Sequence, residues 1–151
     1  MLLLGAQSAF GMDAAPAPLY LQLIKACESG NQGTVERLLT LGADPNARDE
    51  HGRTPIVVAF QSGISDLQGR WAHQGIVKAL LAAKADANLT SRETGNSPLM
   101  LAANFRDLPT VEALLLRGAN VHATNKKGKT ALDFAVDDEV RALLQAAMQP
   151  K

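Results

Sequence analysis

Apolar side chains recur along this chain in a fixed figure. Paired leucines stand at Leu38-Leu39, Leu80-Leu81, Leu114-Leu115 and Leu143-Leu144, each pair three and four residues after a valine, at Val35, Val77, Val111 and Val140. That spacing puts the three side chains of each group on one helical face. Ahead of these stripes lie second apolar runs, "LYLQLIKAC" from Leu19, "PIVVAF" from Pro55, "PLMLAA" from Pro98 and "ALDFA" from Ala131. The pattern predicts four helix pairs. Between pairs, Gly52, Gly95 and Gly128 each precede, by two residues, Thr54-Pro55, Ser97-Pro98 and Thr130-Ala131, and Ser97 lies 33 residues before Thr130. A fixed period of this length marks a stacked repeat protein.

The recurring letters have local reasons. Thr54 and Ser97 can cap a helix with a side-chain oxygen, and Pro55 and Pro98 suit the first helical position, where no N–H is missed. Gly42 and Gly118 follow the second helices, where a left-handed residue ends a helix cheaply, and Asp44 to Asn46 or Asn120 then turn the chain outward. Gly52, Gly95 and Gly128 suit tight hairpin turns.

Composition narrows the function. The 151 residues, 46% hydrophobic and 20% charged, are one domain's worth of folded chain. Abundant Ala and Leu favour helix. Fifteen basic and fifteen acidic residues cancel, so no broad footprint for nucleic acid is present. No segment reaches the roughly 18 apolar residues that a membrane span requires. Cys27 is the only cysteine, so no internal disulfide forms, and its place in an apolar run suits packing. His51, His73 and His122 lack the spacing of a helical metal pair, and no second cysteine can join them. Nucleophile-elbow and phosphate-loop motifs are absent. Asp133, Asp137, Asp138 and Glu139 fit the solvent face of a terminal cap, which a stacked array needs. No catalytic residue, metal or cofactor is expected.

The beginning, "MLLLGAQSAFGMDAAPAP", permits two readings. Residues 1–14 can be a leader or the remnant of a signal peptide, with Ala9 and Gly11 as small residues ahead of Met12. The short apolar run and the lack of Lys or Arg before Lys25 count against that reading, and the alternative is an amphipathic cap helix covering the first repeat. Export would place the protein in a bacterial periplasm or outside the cell; otherwise it is cytoplasmic.

The threonine-proline, glycine-alanine and asparagine elements at this period make the chain resemble an ankyrin repeat protein from about Leu19 to Ala147. The resemblance implies an all-α ankyrin repeat solenoid over residues 15–151, with repeats near 17–48, 49–90, 91–124 and 125–149 and caps at both ends. It also implies a concave surface of hairpin tips and first helices that binds proteins. On that surface the expected contact residues are Arg48, Asp49, Glu50, His51 and Arg53; Val58, Gln61 and Ser62; Ser91, Arg92, Glu93 and Asn96; Leu101, Asn104 and Phe105; and Lys126, Lys127 and Lys129. A mixed-charge rim around a few apolar residues suits a selective protein partner. The function expected is therefore a non-catalytic protein-interaction module; an exported inhibitor that neutralises a toxin or enzyme is a special case. An enzyme with an unrecognised site and a structural spacer are the other classes.

Three departures stand out. The family's His after the TPL element is replaced by Val57, Met100 and Asp133, and Lys84 stands where Gly is usual. The third is an insertion. Between Gly63 and Ile76 the chain has twelve residues, "ISDLQGRWAHQG", where the period leaves three. Arg70, Trp71 and His73 within it are a possible second contact, since Trp and Arg are common binding anchors. The same residues could instead lengthen the helices of repeat two and pack there.

Overall fold

The computed structural model describes residues 15–62 and 67–151. Eight helices and no strand occur among the described residues: α1 (Leu19–Glu28), α2 (Gln32–Thr40), α3 (Pro55–Ser62), α4 (Leu67–Ala82), α5 (Pro98–Asn104), α6 (Leu108–Leu116), α7 (Ala131–Phe134) and α8 (Asp138–Met148). They form four antiparallel pairs. First helices stack as one row, α1 on α3, α3 on α5 and α5 on α7; second helices stack as another, α2 on α4, α4 on α6 and α6 on α8. The fold is the all-helical solenoid that the period predicts. The expected leader, residues 1–14, lies outside the described residues.

The leucine stripes are the seam between neighbours. Val35, Leu38, Val77, Leu80, Val111, Leu114, Val140 and Leu144 are all buried, as are Ile56, Val57, Ala59, Leu99 and Met100 from the first row. Each fully buried Leu contributes about 1.5–3 kcal/mol relative to exposure. Cys27 is part of this core, and burial pushes its thiol up to about 12. It is a packing residue, not a nucleophile at neutral pH.

At two of the helix starts the residue four places into the motif returns a bond to the first. Ser97 Oγ accepts the Met100 N–H (3.3 Å), while the Ser97 N–H donates to the Met100 sulfur (3.4 Å). At the last repeat both the N–H and hydroxyl of Thr130 donate to Asp133 Oδ2, at 2.7 and 3.0 Å. Val57 has no such group, and the buried Thr54 hydroxyl finds no hydrogen-bond partner among the described residues. Thr54 is therefore not the side-chain cap that its motif predicts. Second helices have caps of their own: Asn31 receives the Thr34 N–H, Asp107 the Thr110 N–H, and Asp137 the N–H groups of Glu139 and Val140.

At the helix ends Gly42 and Gly118 are left-handed, with φ of 91° and 81°. Lys84 occupies the same conformation at φ 66°. A Cβ there meets the following carbonyl at a cost of about 1 kcal/mol.

Helix α4 is 16 residues long, against 9 for α2 and α6. The later part of the insertion thus lengthens the second helix at its N-terminal end. Arg70 and Trp71 fall within α4, and their side chains lie outside the described residues. His73 is buried at 7% exposure, its ring edge-on to Phe60 with centroids 4.1 Å apart and also facing Phe105. Its Nδ1–H donates to the Ala59 carbonyl, and Nε2 has no partner among the described residues. The expectation that His73 forms an exposed second contact is corrected: it is a core residue that ties the insertion to α3.

Lys84→Gly should raise the unfolding free energy by about 1 kcal/mol, and Gly118→Ala should lower it by a similar amount, read from urea midpoints. Burial lowers the His73 pKa, against the raising effects of the Ala59 carbonyl and the Asp107 carboxylate. The unfolded chain then takes up a proton first as pH falls below about 6.5, so stability is lost from there downward. His73→Gln should remove this loss below about pH 6.5; an unchanged pH profile would contradict it.

Candidate functional site: the hairpin face

Three hairpins project between the helix pairs; the first and third are each built around one polar side chain, and the second is closed by backbone bonds. In the first, Asp49 Oδ1 accepts the N–H groups of His51 (3.0 Å) and Arg53 (2.8 Å), and Oδ2 pairs with Arg53 Nε at 2.7 Å. Arg53 also reaches Glu28 at 3.4 Å. Burial raises the Asp49 carboxyl, but the backbone and side-chain hydrogen bonds of Arg53, its charge and the His51 N–H outweigh this and hold it below the usual carboxylate range. In the third hairpin Asn125 does the same work without charge, accepting the N–H groups of Lys127 (2.9 Å) and Lys129 (3.0 Å). The second closes on Ser91, whose N–H donates to the Asn96 carbonyl and whose carbonyl accepts the Gly95 N–H.

The hairpins are fastened to each other. Arg48 Nη1 donates to the Gly52 carbonyl of its own loop and to the Thr90 carbonyl of the next, at 2.6 and 3.0 Å. Arg92 lays its stem over Gly52, where an added Cβ would stand 2.7 Å from the Arg92 Cβ. Between the second and third hairpins, the Asn125 amide donates to Asn96 Oδ1 (2.7 Å), the Lys126 N–H to the Thr94 carbonyl (3.1 Å) and the Lys126 ammonium to the Arg92 carbonyl (2.6 Å).

Below the hairpins a second set of braces joins the loops that leave the second helices. Asn46 donates to the Lys84 carbonyl (3.3 Å) and accepts the Asp86 N–H (2.7 Å). One repeat on, Asn88 donates to the Gly118 carbonyl (3.0 Å) and accepts the Asn120 N–H (2.7 Å). Only a side chain that both donates and accepts can do this. His122 holds the corresponding place in the third unit, where the shortened last repeat offers no further loop.

The expected contact residues therefore separate. Glu50, His51, Gln61, Arg92, Glu93, Asn104, Lys126, Lys127 and Lys129 are exposed on this face, with Asn96, Leu101 and Phe105 partly so. Val58 and Ser91 are buried and offer no contact area, a correction to the expected set. Val58 is turned into the core because every residue from Ile56 to Phe60 is buried between neighbouring pairs. Arg48, Asp49 and Arg53 act as fasteners. Of Ser62 only the backbone, at the end of α3, is described. Among the described residues, no group of three or more His, Cys, Asp or Glu side chains could hold a metal ion, and no helix is long and apolar enough to cross a membrane.

Sequence reasoning missed the bracing role of Asn46 and Asn88. The signal was the return of an amide four residues after the helix-ending position. It also missed the bond from Gln74 Nε2 to Asp107 Oδ1 (2.8 Å), which anchors the lengthened α4 to the cap of α6. No local motif marks that pair, which lies 33 residues apart.

Comparison with known proteins agrees with this architecture. A family model described as ankyrin repeats in three copies matches residues 70–151, and a single ankyrin repeat model matches residues 23–50. Ankyrin repeat and SAM domain-containing protein 6 of Mus musculus is 37% identical over 119 residues, covering 77% of this chain and 11% of that protein. Rabankyrin-5 of Homo sapiens is 33% identical over 123 residues, covering 80% and 9%. The B-cell lymphoma 3 protein homolog of Mus musculus is 32% identical over 147 residues, covering 78% and 32%. The chain thus spans a third or less of the length of these relatives. Repeats of this kind are generally protein-interaction modules and typically not catalytic. With its 33-residue period, two helix rows and cross-braced hairpins, the chain belongs to the ankyrin repeat family.

Proposed function

We propose that this chain is a non-catalytic binding module that holds a protein partner on the face made by its hairpin tips and first helices. The observation that carries this is a division of labour. Arg48, Asn96 and Asn125, buried or half-buried, and the exposed Lys126 fasten hairpin to hairpin, while Gln61, Glu93, Asn104, Lys127 and Lys129 stand exposed with no ion pair among the described residues. A face already held in one arrangement loses little conformational freedom on binding, so more of the contact energy appears as affinity. Mixed charge around the half-exposed Leu101 and Phe105 then favours selectivity over tightness.

Arg53 is a poor probe of this face, because replacing it also strands the Asp49 carboxylate. Gln61 and Asn104 serve better, being exposed on α3 and α5. A partner captured from the native source on the full chain should bind the double variant Gln61→Arg, Asn104→Arg about tenfold more weakly, with an unchanged thermal midpoint. Unchanged capture would overturn the proposal, and loss of capture only in Trp71→Ala would move the site to the insertion.

A further inference from the structure

The charge on the hairpin face is uneven. In the first hairpin the arginines are consumed internally: Arg48 by two carbonyls, Arg53 by Asp49 and Glu28. The third hairpin carries Lys126, Lys127 and Lys129 with no acidic residue among them. The backbone of this turn is rigid, since Asn125 holds the N–H groups of both Lys127 and Lys129 and is itself bonded to Asn96. The Lys127 and Lys129 ammonium groups make no ion pair among the described residues.

Between the second and third hairpins lies a groove of about 390 Å³, lined by Lys126, Lys127 and Lys129, with Glu93 and Asn96 also on its wall and the half-buried Phe134 in it. The charges around it are Arg92 and the three lysines against Glu93 and Asp133. Asp133 is partly engaged, because one of its oxygens takes both hydrogen bonds from Thr130. The excess is positive in a chain whose total charge is zero.

Resting on the binding role proposed above, we infer that this groove takes an extended acidic segment of the protein partner, carrying an apolar residue between its carboxylates. The ammonium groups of Lys127 and Lys129 meet the carboxylates. Phe134 offers the apolar residue a surface, and Glu93 rejects segments that are acidic along their whole length on the second-hairpin side. A nucleic-acid backbone fits less well. Glu93 and Asp133 would repel its phosphates, and the groove offers one half-buried ring where single strands need exposed stacking surfaces. Carboxylates recognised by exposed lysines also imply weakening with salt, because such charges are screened over about 8 Å at physiological ionic strength.

The test uses the full chain and a fluorescein-labelled peptide of Glu and Asp residues flanking one Leu, read by anisotropy. Its controls are the same peptide with Gln and Asn in place of the acids, and a single-stranded oligonucleotide of equal charge. The acidic peptide should bind saturably and lose affinity as salt rises. The double variant Lys127→Glu, Lys129→Glu should weaken binding by about tenfold with little change in the thermal midpoint, since both side chains are exposed and make no close ion pair. No saturable binding, equal binding of the amide peptide, an unaffected double variant, or tighter binding of the oligonucleotide would each overturn the inference. The partner captured from the native source separates this failure from the wider one. If its capture falls with Gln61→Arg, Asn104→Arg but not with the lysine reversals, the binding face stands and the acidic segment does not.

Discussion

No helix pair in this chain can bury its own apolar stripe, and that constraint governs everything else. Leu80 and Leu114 leave water only because a neighbouring pair is present, so stability is a property of interfaces and not of units. Apolar packing alone is tolerant of sliding. The register is fixed by polar groups with a fixed reach, the amides of Asn46 and Asn88, each gripping one carbonyl and one N–H of the following loop. Each such bond adds only about 1 kcal/mol to stability, but two on one amide leave a single satisfied alignment.

Register has a functional consequence because the hairpins hang from the loops so aligned. Once repeats two and three are in step, Asn125 can reach Asn96 and Lys126 can reach Arg92. Residues of like chemistry then acquire different work. Arg48 and Arg53 hold the first hairpin together, whereas Lys127 and Lys129, on a turn held by neutral Asn125, make no ion pair among the described residues. Substituting Asn for Asp at the hairpin centre thus does more than save a charge; it withholds the carboxylate that would have neutralised an adjacent cation.

Much of the scaffold was legible because its determinants are local. The turn at Gly52, the stop at Gly42 and the stripe from Val111 to Leu115 each declare themselves within a few residues. The misleading positions were those decided by distant contacts. The Thr54 hydroxyl is buried without a partner among the described residues, His73 was drawn into the core by Phe60 and Phe105, and Val58 faced inward because two pairs close over α3. Among the candidate binding residues, the type was readable and the availability was not. Arg53 follows Asp49 by four residues and pairs with it, whereas Lys127 follows the neutral Asn125; that contrast becomes readable only once Asp49 and Asn125 are known to be hairpin centres.

Hydrogen exchange at the Asn120 amide tests the amide-fixed register most directly. In the intact chain this N–H, held by Asn88 Oδ1 at 2.7 Å in an exposed loop, should exchange as slowly as amides inside α6. In Asn88→Ala it should exchange at nearly the rate of an open loop while the amides of α6 stay protected. Fast exchange in the intact chain, or equal protection in the variant, would show that packing alone sets the register and would contradict the account.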